Sequence, residues 1–208
     1  MIRDPETLKL LVNLIERFVN EKLIPAENQM AEEGKLPEAL LEEMKNLGLF
    51  GLTIPEEYGG LGLTMEEELL VSIALGHTSP AFRSILGTNN GIGSAAIVFA
   101  GTQEQKQKYL PKYASGEWVS CFCLTEPEAG SDAASLRTTA RREGDQYILN
   151  GTKRYITNAA VADTFNVMAR TNPDIKGARG ISSFIVEKGT PGITLGPIDK
   201  KMGQSGSM

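Results

Sequence analysis

The hydrophobic period of this chain changes near Gly116, and that change limits what it can fold into. Before it, apolar residues recur at helical spacing: Leu8, Leu11, Val12, Ile15 and Val19, with Glu16, Arg17 and Asn20 between them. Pro25 is expected to end or interrupt that helix. Pro37 opens the next, PEALLEEMKNLG, and Gly48 sits where a glycine stop belongs. Thr64-Met65-Glu66-Glu67 predicts a capping box ahead of Leu69, Leu70, Ile73 and Ala74. Ser79-Pro80 starts an apolar, glycine-bearing helix predicted to reach about Ala100, and Thr102 caps TQEQKQKYLPKYASG.

After Gly116 the runs become short, β-branched or alternating: Val119–Leu124, Arg137–Arg142, Gln146–Asn150, Thr152–Thr157, Phe165–Ala169, Ser182–Glu187 and Ile193–Leu195. Asn150-Gly151, between two of them, predicts a hairpin. Helices followed by strands imply segregated layers, α+β, not a strand–helix alternation. The expected domains are 1–116, all-α, and 117–208, β. The terminal KKMGQSGSM carries neither a helix stop nor a closing strand, so a frayed end and an unfinished domain are both open.

Composition narrows the function class. With 41% hydrophobic and 23% charged residues among 208, the chain is of normal globular type. A net charge of −5 argues against nucleic acid, which needs a concentrated basic face. No apolar run approaches membrane-spanning length, and MIRDPETLKLLVNLIERF mixes acids into its apolar pattern, unlike a signal peptide. The expectation is a soluble, cytoplasmic protein without membrane contact. Cys121 and Cys123 point to one face of a strand, and are expected to be buried structural thiols in a reducing compartment. With the lone His77 they do not complete a usual zinc set, so no metal site is expected. His77 itself is read as structural, or as a charge near a helix end.

The chemistry-bearing stretch is LTEPEAGSD, Leu124 to Asp132, leaving the apolar run Val119–Leu124. Thr125 and Ser131 are neutral donors and acceptors, Gly130 lets a ligand approach the backbone, and Pro127 fixes the turn. Such a loop can hydrogen-bond a flat heterocycle or a phosphate. It can equally be an ordinary hydrophilic turn with an Asx cap at Asp132. A second stretch, KRYITN, alternates Tyr155 and Thr157 on one side of a predicted strand. An aromatic ring beside a hydroxyl can cover and bond a planar cofactor, or can form a plain cross-strand pair. Trp118, Tyr109 and Tyr113 are expected to pack where helices meet strands.

GTQEQKQKYLPKYASGE, CLTEPEAGSD and YILNGTKRYITNA, in this order and spacing, resemble the acyl-CoA dehydrogenases from about Leu8 to the last residue. The resemblance implies an N-terminal helical domain followed by a β-barrel domain, here incomplete, and a C-terminal helical bundle that these residues do not reach. It therefore favours truncation at the unfinished end, and an exposed apolar patch where the bundle would dock. It implies FAD as cofactor. Phe122, Leu124 and Thr125 would bond the flavin, Gly130 and Ser131 would line the passage of the pyrophosphate or ribityl region and the CoA chain, Tyr155 would stand against the flavin where tryptophan is usual, and Thr157 would contact its N5 edge. Glu128 departs from the family pattern by adding a negative charge near phosphates.

The implied reaction is α,β-dehydrogenation of an acyl-CoA in fatty acid metabolism. Electrons pass to electron-transfer flavoprotein, and the full-length protein is a homo-oligomer, usually a homotetramer. The implied base belongs to the C-terminal bundle, so no catalytic residue is assigned here; Glu126 and Asp132 are read as fixing the loop. Arg83 and Ser84 match the pair that binds the distal carboxylate of substrate in the glutaryl-CoA branch, though an arginine paired with a helix-end acid is the competing reading. Two other functions stay open: an oxidase or flavin monooxygenase of the same superfamily, and a non-catalytic fragment that binds FAD, CoA or a partner.

Overall fold

The structure is a computed structural model that describes residues 4–207; Met1–Arg3 and Met208, including the very ends of the two termini read above, lie outside the described residues. Seven α-helices precede five strands among them. Helix α1 (Pro5–Phe18) is capped by Asp4, whose carboxylate accepts from the Thr7 N–H at 3.0 Å. The chain does not stop at Pro25. A π-turn over Val19–Leu23 carries it into α2 (Ile24–Glu33), with the Ile24 N–H reaching back to the Val19 carbonyl. The widened turn meets the ring of Pro25 and its missing donor, and the Asn20 amide caps the Glu16 carbonyl at 2.8 Å.

Helix α3 (Glu38–Asn46) ends before Gly48 at φ 72°, as its glycine stop predicts. The capping box of α4 (Met65–Leu75) forms between Thr64 and Glu67. This helix is apolar nearly all round, and packing selects one stripe: Glu67, Val71, Ala74 and Leu75 are buried, whereas Leu69, Leu70 and Ile73 are exposed. The predicted long helix to Ala100 is broken. Helix α5 (Pro80–Thr88) and α6 (Ser94–Ala100) flank a π-turn with Gly91 at φ −88°, ψ −108°. A glycine inside a π-turn is a usual cause of such a kink. Helix α7 (Gln103–Ser115) has the second capping box, Thr102 with Gln105, and ends at Gly116 with φ 71°.

The strands are β1 (Ser120–Cys123), β2 (Thr139–Glu143), β3 (Gln146–Asn150), β4 (Thr164–Arg170) and β5 (Ile181–Glu187). They form one mixed sheet ordered β1-β4-β2-β3, with β5 antiparallel along the other side of β4. β1 runs parallel to β4, and β2 meets β4 through the single pair Thr139↔Arg170. Fold class α+β therefore holds, with a mixed sheet as the second part. Two expected strands are absent: Thr152–Thr157 and Ile193–Leu195 lie outside any strand.

The hairpin is also one turn earlier than predicted. β2 and β3 close at Glu143↔Gln146 across Gly144-Asp145, with Gly144 at φ 60° supplying the positive φ of a two-residue turn. Gly151 serves another need. A Cβ there would sit 2.3 Å from Thr138 Oγ1 and 2.7 Å from its Cα, so glycine permits a close crossing of the two chains.

Helices and sheet meet at several places, one of them aromatic. Tyr109, Tyr113 and Trp118 cluster there with Ile185 of β5 packed against them. The Tyr113 hydroxyl bonds Thr164 Oγ1 at 2.6 Å, and Tyr109 donates to Glu187 at 2.8 Å. Lys108 pairs with the same carboxylate at 2.5 Å, which holds Glu187 below its usual range. Burial pushes the Tyr113 phenol well above the ordinary tyrosine range.

Candidate functional site

β1 lies at one end of the sheet, so one of its edges is free of strand partners. At Ser120 the N–H and the hydroxyl turn off that edge and donate to Asn89 Oδ1 at 2.9 and 3.0 Å. Backbone donors alternate sides along a strand. The N–H of Phe122 therefore faces the same free edge as that of Ser120.

The loop after β1 is built around Glu126. Its N–H and the Ala129 carbonyl pair at 3.0 Å, and the Ala129 N–H returns to the Glu126 carbonyl at 3.2 Å, closing a turn with Pro127 at its second position. The Glu126 carboxylate, 6% exposed, accepts from the N–H of Arg137 (2.6 Å), the N–H and hydroxyl of Thr138 (2.9 and 2.5 Å) and the Lys153 ammonium (2.8 Å). Burial alone would raise its pKa; the hydrogen bonds from Lys153, Thr138 and Arg137 outweigh burial and bring it down to about 2. Glu126 is thus a fixed anion that anchors the loop, as the sequence reading expects. Asp132 accepts from the Ser135 hydroxyl at an exposed position. Glu128 turns outward to an exposed ion pair with Arg137, so its charge does not point into the loop.

KRYITN is not a strand because its backbone is spent on this loop. The Arg154 N–H donates to the Thr125 carbonyl at 2.8 Å, and Lys153 Nζ donates to the Leu124 carbonyl at 3.0 Å. Tyr155 follows in left-handed conformation, φ 59°, which a β ladder does not admit. Asn158, φ 70° and buried, donates to the carbonyls of Ile85 on α5 (3.2 Å) and Ser120 on β1 (3.4 Å).

The structure brings Leu124 and Thr125 together with Lys153 and Arg154, through contacts that strand alternation did not foresee, and leaves Phe122 on β1 opposite Asn166. Tyr155 is 72% exposed and the Arg154 guanidinium stands 4.8 Å from its ring centroid; Thr157 is half-buried. Among the described residues no hydrogen bond engages the hydroxyls of Thr125 or Ser131. A Cβ on Gly130 would meet nothing within 4 Å, so the space over it is open. Arg83, on the first turns of α5, pairs with Glu68 at 3.8 Å and is half-exposed, the arrangement of the competing reading. Ser84 accepts from the Ser207 hydroxyl at 3.1 Å. Sequence reasoning missed Lys153, Asn158 and Asn89, whose roles depend on long-range partners.

Neutral hydroxyls, edge N–H groups, an exposed ring and an open glycine form a donor set suited to a flat polar heterocycle. Cys121 and Cys123 lie on β1, free and buried with sulfurs 3.7 Å apart; the contact with Cys123, and then burial, push the Cys121 thiol up. Among the described residues no group of three or more His, Cys, Asp or Glu could hold a metal ion, and no helix is long and apolar enough to cross a membrane.

The fold is α+β, a helical domain followed by a mixed sheet, with a polar loop leaving the sheet's first strand. Residues 5–117 match the family described as acyl-CoA dehydrogenase, N-terminal domain, and residues 121–208 match acyl-CoA dehydrogenase, middle domain. The chain belongs to the acyl-CoA dehydrogenase family. An acyl-CoA dehydrogenase of Bacillus subtilis (strain 168) is 40% identical over 198 residues, which cover 95% of this chain and 52% of that protein. The human mitochondrial short-chain specific acyl-CoA dehydrogenase is 40% identical over 206 residues, 98% of this chain and 49% of the relative. A glutaryl-CoA dehydrogenase from Mycobacterium smegmatis, solved in complex with FADH2, superposes with TM-score 0.89 at 35% identity, covering 98% of this chain and 51% of its own. The chain thus spans about half the length of these relatives.

Proposed function

We propose that this chain supplies the flavin-facing part of an FAD-dependent acyl-CoA dehydrogenase. The observation that supports the reading is the clasp of Lys153 and Arg154 onto Leu124–Glu126, which joins the two stretches that resemble the family's site motifs. Phe122, Leu124 and Thr125 offer donors along the free edge of β1 to the ring. Tyr155 and Thr157 close over it, and the open backbone at Gly130-Ser131 leaves room for the pyrophosphate or ribityl region and for the CoA chain. Bound FAD would supply hydride acceptance as the acyl-CoA loses an α-proton and a β-hydride.

The base is not assigned to these residues. A proton-abstracting carboxylate needs a pKa raised toward neutrality. Glu126, held near 2 by its donors, is the opposite case. The base is proposed to come from a part of the relatives' length that this chain does not span, as are the contacts to electron-transfer flavoprotein and the homotetramer. Arg83 and Ser84 are proposed to select a short dicarboxylyl-CoA.

A visible spectrum of the chain refolded with FAD, before and after butyryl-CoA without oxygen, tests this. Bound flavin is the expected result, and absence of binding sinks the reading. Bleaching by butyryl-CoA would show a base within these residues. Flavin that binds and stays oxidised agrees with a base outside these residues, whether the chain is part of a dehydrogenase or a non-catalytic FAD- or CoA-binding fragment. Rapid reoxidation of reduced flavin by oxygen would point instead to an oxidase or monooxygenase.

A further inference from the structure

We infer that Lys153 is a positioning residue for the ring-binding face, acting through the peptide between Leu124 and Thr125; the inference rests on the flavin reading above. A trans peptide points its C=O and its N–H in opposite directions, and no cis bond occurs among the described residues. Lys153 Nζ holds the Leu124 carbonyl at 3.0 Å, so the Thr125 N–H is aimed away from Lys153. The next peptide obeys the same geometry. Its carbonyl, Thr125 O, is taken by the Arg154 N–H at 2.8 Å, and its N–H, from Glu126, points the other way to Ala129 O at 3.0 Å. Two successive peptides are thus set by the 153–154 segment, and the first presents its donor to the side opposite the lysine.

Lysine suits this place. Its side chain is 11% exposed and bridges two acceptors, the Leu124 carbonyl and Glu126 Oε1 at 2.8 Å. A compact ammonium has three donors for such a bridge, whereas guanidinium is a wider planar fork. Glu126 keeps three further donors without Lys153, so the turn itself is over-determined. The Leu124 carbonyl, by contrast, has Lys153 as its single side-chain donor among the described residues. Removing the ammonium therefore frees the direction of the Thr125 N–H before it undoes the turn.

The test is FAD affinity of the refolded chain, read by flavin fluorescence, with amide hydrogen exchange in the absence of FAD. Lys153→Met should raise the FAD dissociation constant about tenfold, the loss of one charge-assisted restraint. It should also speed exchange within 124–131 while the rest of the sheet keeps its protection. Lys153→Arg should recover part of the affinity. Glu126→Gln should lower the unfolding midpoint more than Lys153→Met does, yet shift FAD affinity less, because the Leu124 contact survives. Wild-type affinity in Lys153→Met overturns the positioning role, and so does a larger affinity loss in Glu126→Gln, which remains readable if Lys153→Met fails to fold. Failure of the wild-type chain to bind FAD overturns the flavin reading itself, and is seen without any variant.

Discussion

The backbone N–H of Arg154 donates to the carbonyl of Thr125 at 2.8 Å, joining two loops that no strand pairs. The next residue, Tyr155, is thereby held at φ 59° with its ring largely exposed. A left-handed tyrosine is strained by about 1–2 kcal/mol, a cost glycine does not carry. Tyr155→Gly should therefore be more stable than Tyr155→Ala by about 1 kcal/mol in urea unfolding. Equal stabilities would mean that the backbone there is unstrained.

Glu126 makes the fold sensitive to acid. Its pKa is about 2 in the folded chain against an ordinary 4.5, so its stabilisation is complete above pH 4.5 and is lost as pH falls through 2. Stability measured by urea unfolding should fall across that window in the wild-type chain. Glu126→Gln should flatten the slope there and cost on the order of 2 kcal/mol at neutral pH, because buried donors lose a charged acceptor. An unchanged slope would refute the assignment.

The joint between helices and sheet should respond to Tyr113→Phe. The change leaves the buried Thr164 hydroxyl without its 2.6 Å partner. Thermal unfolding should report a loss of about 1–2 kcal/mol. Lys108→Ala, at a half-exposed ion pair, should cost under about 1 kcal/mol.

Arg83 offers a test of substrate class. Its pairing with Glu68 is long and half-exposed, so Arg83→Ala should leave stability within about 0.5 kcal/mol of wild type. In a protein extended to the length of its relatives, the same change should hurt glutaryl-CoA turnover far more than butyryl-CoA turnover. Equal losses would remove the dicarboxylyl proposal and leave Arg83 a surface ion-pair partner.

Local rules made much of the fold readable. Capping at Thr64 and Thr102, the stop at Gly48, and the same-face thiols of Cys121 and Cys123 depend on neighbours a few residues away, and all are found. Pro25 and Gly91 were harder, because a π-turn can absorb a proline or sharpen a bend without ending the helix run. Asn150-Gly151 misled for a steric reason: its glycine answers Thr138 across the crossing, and the turn belongs to Gly144. The setting of Tyr155 and Thr157 was not legible, since Lys153 and Asn158 act on partners far away in sequence. Alternation describes a strand, and this segment spends its donors elsewhere.

Asn89 closes the account of how the two parts of the chain are joined. One buried side chain donates to the carbonyls of Phe50 (3.2 Å) and Tyr113 (3.1 Å) and accepts from the N–H and hydroxyl of Ser120. Two helical segments, at Phe50 and Tyr113, and the first strand thus complete a single amide's valences, and none can leave without stranding it in the interior. The helical part and the sheet should then melt as one cooperative unit, and a cut placed between them at Gly116 should yield halves that do not fold separately.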